Sequence, residues 1–335
     1  GQNGQGKTNS LEALYMLAAL RPLRSVKRQA LMRSGTERAR VAAQVFNKTP
    51  GLTHELELQL GSRQRKLIKD TKSTIARNFI GTLVAVAFTP DDLDFAKGGP
   101  DRRRKFVDRA VLNGRPAYLQ QALRYTKAVR DRNRVLADEG SNTQLEAFDE
   151  LVALEGAKVT MARSEYIRAL DTRCLQLFEQ ICQPAPELEL SYATRLQDVA
   201  LGSEDVVAQA LLDKLRRRHP VARARRTTSV GPHLDDIELR FDGAPVKDRA
   251  SQGQHRALVR ALKLAEIELA TERLGEPPVL LLDDMSSELD DARTRQLLET
   301  VRAMKAQVIL SSTRPVSEVA ELIAEAIAKV GADGV

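Results

Sequence analysis

The feature that most constrains this chain is its opening segment, GQNGQGKTNS, which fits the spacing G-x-x-x-x-G-K-[ST] at Gly1, Gly6, Lys7 and Thr8. A loop of this kind points successive backbone N–H groups at phosphate oxygens, while its lysine reaches the terminal phosphates and its hydroxyl holds Mg²⁺. The motif predicts a strand before the loop and a helix after it. We therefore assign nucleotide contacts to Gly1, Gln2, Asn3, Gly4, Gln5, Gly6, Lys7, Thr8 and Asn9.

The residues after the loop have the spacing of a helix. Leu11, Leu14, Tyr15 and Ala18 recur on one helical face from Asn9 onward. Such a helix directs its N-terminus, which carries about half a positive charge, at the bound phosphates. Because no residue precedes Gly1, we expect this sequence to be a fragment cut at the loop, without the strands that should come first.

A second half of a nucleotide site is indicated far along the chain. The apolar run 279–282 lies between two prolines and the pair Asp283 and Asp284, which is typical of a buried central strand ending in acids. A carboxylate at the tip of a strand near the phosphate-binding loop is suited to anchor Mg²⁺. We assign the metal to Thr8 and Asp283, and we assign to Asp284 the catalytic role of polarising the attacking water. The alternative is a polar turn after a core strand.

A helix is predicted to begin after Ser251, which is a favourable N-cap residue, and its apolar face includes Leu258, Leu262 and Leu269. Amide and glycine residues at a helix start leave the first N–H groups open to an anion. This segment resembles the signature motif of ABC-type ATPases, and MSSELDD after Asp284 resembles their D-loop. The resemblance implies an ATP-dependent homodimer in which each signature contacts the partner's γ-phosphate, here through Ser251, Gln252, Gly253 and Gln254.

The segments PDDLDFAKGGPDRRRKFVD (90–108) and SVGPHLDD (229–236) are more distinctive. Together with the motifs above they resemble the RecF family of bacterial recombination proteins over essentially the whole chain. The resemblance implies an ATP-dependent DNA-binding protein of recombinational repair, replication maintenance and the SOS response. It also implies binding of double-stranded or gapped DNA, cooperation with RecR and RecO, and help in loading RecA.

The order of the predicted elements indicates an α/β fold. Strands and helices alternate at both ends of the chain, and a helical block lies between them. We predict an ABC-type P-loop ATPase head, with a mixed or parallel sheet and flanking helices, interrupted by a mainly helical second lobe. The head is expected at 1–90 and 222–335, and the inserted lobe at 91–221.

Charge and aromatic content favour a duplex partner. The formal net charge is +7, aromatic residues make up 4% of the chain and tryptophan is absent, which argues against stacking on single-stranded bases. Basic clusters occur at 21–28, 101–105, 124–134 and 214–226. We assign DNA contacts to Arg21, Arg24 and Lys27, because they follow the phosphate-loop helix and could respond to nucleotide. The alternative for each cluster is a solvated helix face.

Two departures from ABC-type patterns bear on hydrolysis. Ser312 and Thr313 stand where many such ATPases have a histidine, and Asp284 is one methylene shorter than the glutamate of transporters. We predict a weak, DNA-dependent ATPase that acts as a switch.

Other classes stay open as alternatives: a nucleotide-binding subunit of an ABC transporter, an SMC-like ATPase, or a RecF-like scaffold without activity. The basic GGPDRRRKFVD segment argues against the transporter, and the separation of Thr8 from Ser251 is too short for a long coiled-coil arm. Two cysteines without a disulfide or zinc pattern, and no apolar run long enough to span a membrane, favour a cytoplasmic protein without membrane partners.

Overall fold

The structure is a computed structural model that describes residues 7–24, 28–33, 35–48, 50–62, 64–89, 92, 94–196, 199, 201–283 and 302–311. Its helices are α1 (Lys7–Ala19), α2 (Ala76–Phe79), α3 (Asp94–Lys97), α4 (Pro100–Gly114), α5 (Tyr118–Ala137), α6 (Asn142–Ile181), α7 (Glu204–Arg217), α8 (His219–Arg225), α9 (Val246–Arg249) and α10 (Gln252–Leu274), with a 3₁₀ turn at Arg28–Leu31. Its strands are β1 (Arg38–Asn47), β2 (Leu52–Gly61), β3 (Arg65–Lys69), β4 (Lys72–Thr74), β5 (Ala85–Phe88), β6 (Leu188–Ala193), β7 (Asp236–Phe241), β8 (Ala244–Pro245), β9 (Val279–Asp283) and β10 (Val308–Ser311).

The chain forms two compact units. The first comprises the described residues within Gly1–Asp92 and Glu266–Val335, and the second is Leu93–Ala265, so that one boundary falls within α10. The sequence predicts a different division, in which the helical lobe ends at 221. Compactness alone does not decide which segments belong to the ATPase lobe, and the predicted lobe boundaries stay a prediction.

The first unit contains two sheets around α1. One is antiparallel in the order β1-β2-β3-β4, and the other is parallel in the order β10-β9-β5. Along β2 the side chains alternate between solvent and core, and Leu56, Leu58 and Leu60 face inward. These leucines pack with Leu11 and Leu17 of α1 in one apolar core. This core fixes the start of α1 against the sheets, which positions Thr8.

The second unit is mainly helical. The long helices α5 and α6 form a hairpin, and α6 begins in a capping box in which Ser141 and Gln144 satisfy each other's backbone N–H groups. A small antiparallel sheet, β6-β7-β8, packs beside α6. The stacked rings of Phe178 and Phe241 join this sheet to α6, with centroids 5.2 Å apart.

A buried polar network lies inside the second unit. The fully buried carboxylate of Asp149 accepts a hydrogen bond from Arg132 Nε at 2.6 Å and pairs with His219 Nε2. Nearby, the turn 229–236 is held from several helices, and Arg163 Nη1 donates to the carbonyl of Pro232 at 2.6 Å. Burial of Arg132 and Asp149 is tolerated because their charges are opposite, and Arg163 has an opposite partner in Asp108, 2.7 Å from its Nε.

Most of the predicted elements are confirmed. The residues Gly140-Ser141-Asn142 indicate a break between two helices, and it separates α5 from α6. Pro50 and Gly51 indicate a turn, and it joins β1 to β2, while the run 279–282 lies in the central strand of a parallel sheet. The pattern from about 203 to 218 predicts a helix that ends before Pro220, and α7 (Glu204–Arg217) confirms it. The short helix α8 that follows, with Pro220 in its first turn, was not predicted. The segment VSEVAELIAEAIAKV (316–330), whose pattern predicts a helix, lies outside the described residues.

No helix within the described part of the chain combines the length and the apolar character that a membrane span requires.

Candidate nucleotide and metal site

The site is built where α1 begins and where β9 and β10 end. Thr8 lies in the first turn of α1, and Asp283 is the last residue of β9. Although 275 positions separate them in sequence, Thr8 Oγ1 lies 3.4 Å from Asp283 Oδ1. The structure thus brings together the two residues to which the sequence assigns the metal.

Ser311 is a third member of this cluster. It is the last residue of β10 and lies directly beside Asp283 in the parallel pairing of β10 with β9. Its hydroxyl donates to Asp283 Oδ1 at 2.8 Å, and both residues are buried. Ser311 is not among the predicted site residues, although the parallel alignment of the two predicted strands would have indicated it.

Arg24 holds the other oxygen of the same carboxylate. Its Nη2 lies 2.6 Å from Asp283 Oδ2, and its side chain is 46% exposed whereas that of Asp283 is fully buried. The preceding residue is also fixed, because the backbone N–H of Leu23 donates to Glu12 Oε1 at 2.7 Å. Burial raises the pKa of the Glu12 carboxyl, against the opposing effect of the N–H groups of Leu23 and Arg24.

The donor set fits Mg²⁺. This ion prefers hard oxygen ligands and is usually held by one or two carboxylates together with phosphates and water. Neighbouring oxygens in its octahedral shell lie about 2.9 Å apart, close to the 3.4 Å between Thr8 Oγ1 and Asp283 Oδ1. Within the described residues no three His, Cys, Asp or Glu side chains gather into a metal site, so a zinc-type cage is not formed there.

The start of α10 is an exposed, capped helix terminus. The N–H of Ser251 donates to Gln254 Oε1 at 2.9 Å, and the N–H of Gln254 donates to Ser251 Oγ at 3.2 Å. A Cβ atom added at Gly253 would find only Ser251 Oγ, 3.9 Å away. Local packing therefore does not require a glycine here. The same open space leaves room for a ligand above the helix terminus.

Several predicted site residues lie outside the part of the chain that the structure describes. These are the loop residues Gly1 to Gly6, the side chain of Lys7, Lys27, Asp284, Ser312 and Thr313. Arg21 is described, and its Nη2 lies 3.4 Å from the hydroxyl of Tyr15. The DNA contacts assigned to Arg21, Arg24 and Lys27 stay a prediction.

No family model matches the chain. It is 41% identical over 319 residues to the DNA replication and repair protein RecF of Myxococcus xanthus (strain DK1622), an alignment covering 93% of this chain and 83% of that protein. It is 42% identical over 320 residues to the protein of the same name from Anaeromyxobacter sp. (strain K), covering 93% and 85%.

Solved structures agree with these relatives. The chain superposes with a TM-score of 0.87 on a structure described as the recombination mediator protein RecF with ATP in the RecFOR pathway. The sequences are 28% identical, and the match covers 94% of this chain and 85% of the other. A second structure of that mediator, described as RecF-ATPrS, matches with a TM-score of 0.84 over the same shares. The predicted α/β ATPase fold is confirmed by these matches.

Proposed function

Because the chain belongs to the RecF family of DNA replication and repair proteins, we propose that it is an ATP-dependent DNA-binding protein of recombinational repair and replication maintenance. The observation that carries the proposal is the cluster of Thr8, Asp283 and Ser311 at the start of α1. This cluster places a hydroxyl and a carboxylate where a phosphate-bound Mg²⁺ needs its protein ligands. The name of the solved RecF–ATP structure supports ATP as the nucleotide.

Each residue of the cluster has a separate task in this proposal. Thr8 and Asp283 would hold Mg²⁺, which would neutralise charge on the β- and γ-phosphates. Ser311 keeps Asp283 oriented by donating to Oδ1. Lys7 would contact the terminal phosphates, and Asp284 would orient the attacking water. The short Asp284 side chain and the absence of a histidine at 312–313 support slow hydrolysis that acts as a switch. Its dependence on DNA belongs to the same proposal.

ATP would also join two copies of the chain. Ser251, Gln252, Gly253 and Gln254 would contact the γ-phosphate held by the partner, a contact that ADP does not offer. The dimer would bind double-stranded or gapped DNA in the cytoplasm. The RecFOR pathway named for the solved relatives supports RecR and RecO as partners, and help in loading RecA belongs to the same proposal.

The proposal is tested by measuring mass and duplex binding under three nucleotide conditions. Light scattering should show a dimer with ATP and Mg²⁺, and a monomer with ADP or without nucleotide. Lys7→Met should abolish the dimer, whereas Lys72→Met, an exposed lysine of β4, should leave it unchanged. A native chain that stays monomeric at saturating ATP and Mg²⁺ contradicts the switch, and binding of duplex without any nucleotide dependence identifies an inert scaffold.

A further inference from the structure

Of the four basic clusters of this chain, 214–226 holds the most basic side chains. Residues 214–226 contain seven basic side chains, and the sequence has no Asp or Glu between 214 and 234. We call this set the arginine corner; it consists of Lys214, Arg216, Arg217, Arg218, Arg223, Arg225 and Arg226. Because the net charge of the whole chain is +7, the remaining residues together carry no net charge.

The arginine corner is a bend between two helices of the second unit. α7 ends at Arg217, α8 begins at His219, and Arg218 lies between them. Arg216, Arg217, Arg218, Arg225 and Arg226 are exposed. A cation in the last turn of a helix complements the helix dipole, which is equivalent to about half a charge at each end. Seven cations around two short helices exceed what that dipole explains.

The bend is fixed from beneath. His219 at the start of α8 pairs with the buried carboxylate of Asp149. Ala222 of α8 packs in a small apolar cluster with Leu136 and Leu145. After α8, the N–H and hydroxyl of Thr228 both donate to the side-chain oxygen of Asn133, at 2.8 and 2.6 Å. The backbone that carries the arginines is therefore held in place, so little ordering remains to be done on binding.

Lys214 and Arg223 are half-buried and bond within the unit, to the Arg195 carbonyl and to the Gly140 carbonyl and Asn142 respectively. The exposed arginines are held more loosely. Arg216 lies 3.4 Å from Glu150 and Arg226 lies 2.9 Å from Glu139, and all four side chains are exposed. Exposed pairs of this kind contribute about 0–1 kcal/mol, so they exchange readily for another anion. Arg218 and Arg225 make no side-chain hydrogen bond or ion pair with any residue that the structure describes.

The surroundings of the arginine corner favour a nucleic-acid duplex over other polyanionic partners. Residues 193–231 contain no Phe, Tyr or Trp on which unpaired bases could stack, and the ring of His219 is paired with Asp149. The apolar face of α7, formed by Val207, Leu211 and Leu215, is buried and is not available for insertion into a lipid surface. Phosphates held along a duplex backbone require only exposed, fixed cations.

We propose that the arginine corner is a contact surface for the phosphate backbone of duplex DNA, in addition to the segment 21–27. The inference rests on the proposed function, since it names a surface for the same ligand. It assigns part of DNA binding to the second unit, and it predicts contacts that carry no base specificity.

The test is a salt series of duplex binding with the full chain in ATP and Mg²⁺. A fluorescent 30-base-pair duplex serves as the probe, and two sequences of equal length are compared. Arg218→Gln with Arg225→Gln removes two charges without removing a bond described within the chain. Each lost phosphate contact should reduce the slope of log K against log salt by about 0.9, and affinity at 0.15 M salt should fall by about 30-fold for both together.

Two further variants make the result specific. Arg168→Gln with Lys247→Gln removes the same charge from exposed positions of the same unit and should leave the slope unchanged. Arg218→Lys with Arg225→Lys should keep the native slope, since it preserves charge. Circular dichroism melting should be equal for all variants, because the substituted side chains are exposed.

The outcomes separate this inference from the proposed function. If the native chain binds duplex and the glutamine pair binds it equally well with the same slope, the arginine corner is not a contact surface. If Arg218→Gln with Arg225→Gln weakens binding to phosphatidylserine vesicles or to an acidic protein but leaves duplex binding unchanged, the inference is also overturned. If the native chain fails to bind duplex at all, the proposed function fails with it.

Discussion

Arg24 and Asp283 form an ion pair in which Nη2 and Oδ2 are 2.6 Å apart, while the other oxygen of the carboxylate faces Thr8 and Ser311. The two oxygens of one buried side chain are thus divided between a cation and two hydroxyl groups. This division turns Oδ1 toward the start of α1, where the metal is proposed to bind. Arg24 therefore positions Asp283, in addition to any contact it makes with DNA.

Replacing Arg24 should make stability depend on magnesium. Arg24→Gln leaves a buried carboxylate without its cation, and we expect a loss of about 1–2 kcal/mol in the free energy of unfolding, reduced by the partial exposure of the arginine. Mg²⁺ should stabilise this variant more than the native chain, because the ion then supplies the missing charge. Urea denaturation with and without MgCl₂ measures both effects. Arg21→Gln is the control, and equal stabilisation of Arg24→Gln and the native chain by Mg²⁺ would contradict the prediction.

Thr8 and Ser311 contact the same oxygen but should differ in their roles. Ser311→Ala removes a buried 2.8 Å donor and should lower the free energy of unfolding by about 1–2 kcal/mol. Thr8→Val removes only a 3.4 Å contact and should cost less than about 0.5 kcal/mol. Addition of Mg²⁺ should increase the affinity for a fluorescent ATP analogue less in Thr8→Val than in Ser311→Ala, which is the opposite of their order in stability. A larger loss of that gain in Ser311→Ala than in Thr8→Val would show that Thr8 is not a metal ligand.

Gly253 should separate helix stability from dimerisation. An alanine there meets no atom closer than 3.9 Å, and alanine is favoured over glycine in a helix by up to about 1 kcal/mol. Gly253→Ala should therefore raise the melting temperature slightly, yet weaken the ATP-dependent dimer because a methyl group covers the helix terminus. Light scattering and calorimetry on the same sample measure the two effects. Gly202→Ala, where the added Cβ also has open space, should leave the dimer intact, and full dimerisation of Gly253→Ala would remove this helix from the proposed interface.

Gly231 has a structural role in the second unit. Its φ is +125°, and an added Cβ would overlap the hydroxyl of Tyr125. Gly231→Ala should thus lower the free energy of unfolding by roughly 2–4 kcal/mol, from backbone strain and a steric clash together. Gly243→Ala, with φ at +76° and open space around the position, isolates the backbone part and should cost about 1 kcal/mol. If urea denaturation shows the same loss of unfolding free energy for both variants, the clash at Gly231→Ala is relieved.

His233 should make stability depend on pH. Burial lowers the pKa of its imidazole, against the raising effects of the Thr228 carbonyl and of Asp235. Its Nε2 lies 3.2 Å from that carbonyl, so the neutral ring donates there and its Nδ1 accepts from the Tyr125 hydroxyl. Arg104 and Arg163 add positive charge nearby and oppose protonation.

The unfolded chain therefore binds a proton at higher pH than the folded chain does. The contribution of His233 should be fully present above the unfolded pKa, about 6.5, and should be lost as pH falls from there toward the lower folded pKa. Unfolding free energies of the native chain and His233→Gln between pH 5 and 8 should converge as pH falls. A constant difference across this range would contradict the assignment. Burial also lowers the pKa of His255, but this residue is present in both proteins, so it does not contribute to the difference between them.

Much of the fold was predictable because the relevant forces are local. Local residue patterns were enough to indicate several elements. These are the alternation in β1 and β2, the capping Ser141 at the start of α6, and the apolar run of β9. Pro220 correctly marks the end of α7, but the sequence did not show that it also lies in the first turn of α8, where proline lacks only an N–H that would have no partner. Local patterns do not distinguish these two uses of proline.

The sequence by itself determined the kind of chemistry, since the loop motif, the acid at the end of a buried strand and the basic segment 214–226 are visible as residue types and spacings. Only the tertiary structure decided which groups meet: Ser311 and Arg24 share Asp283, and His219 at the start of α8 pairs with Asp149. The reason is that a hydrogen bond or ion pair acts over a few ångströms, whereas its partners here lie up to 259 positions apart in the chain. The packing of α1 and the parallel strands brings the partners of Asp283 together, and the packing of the helices of the second unit does so for His219 and Asp149.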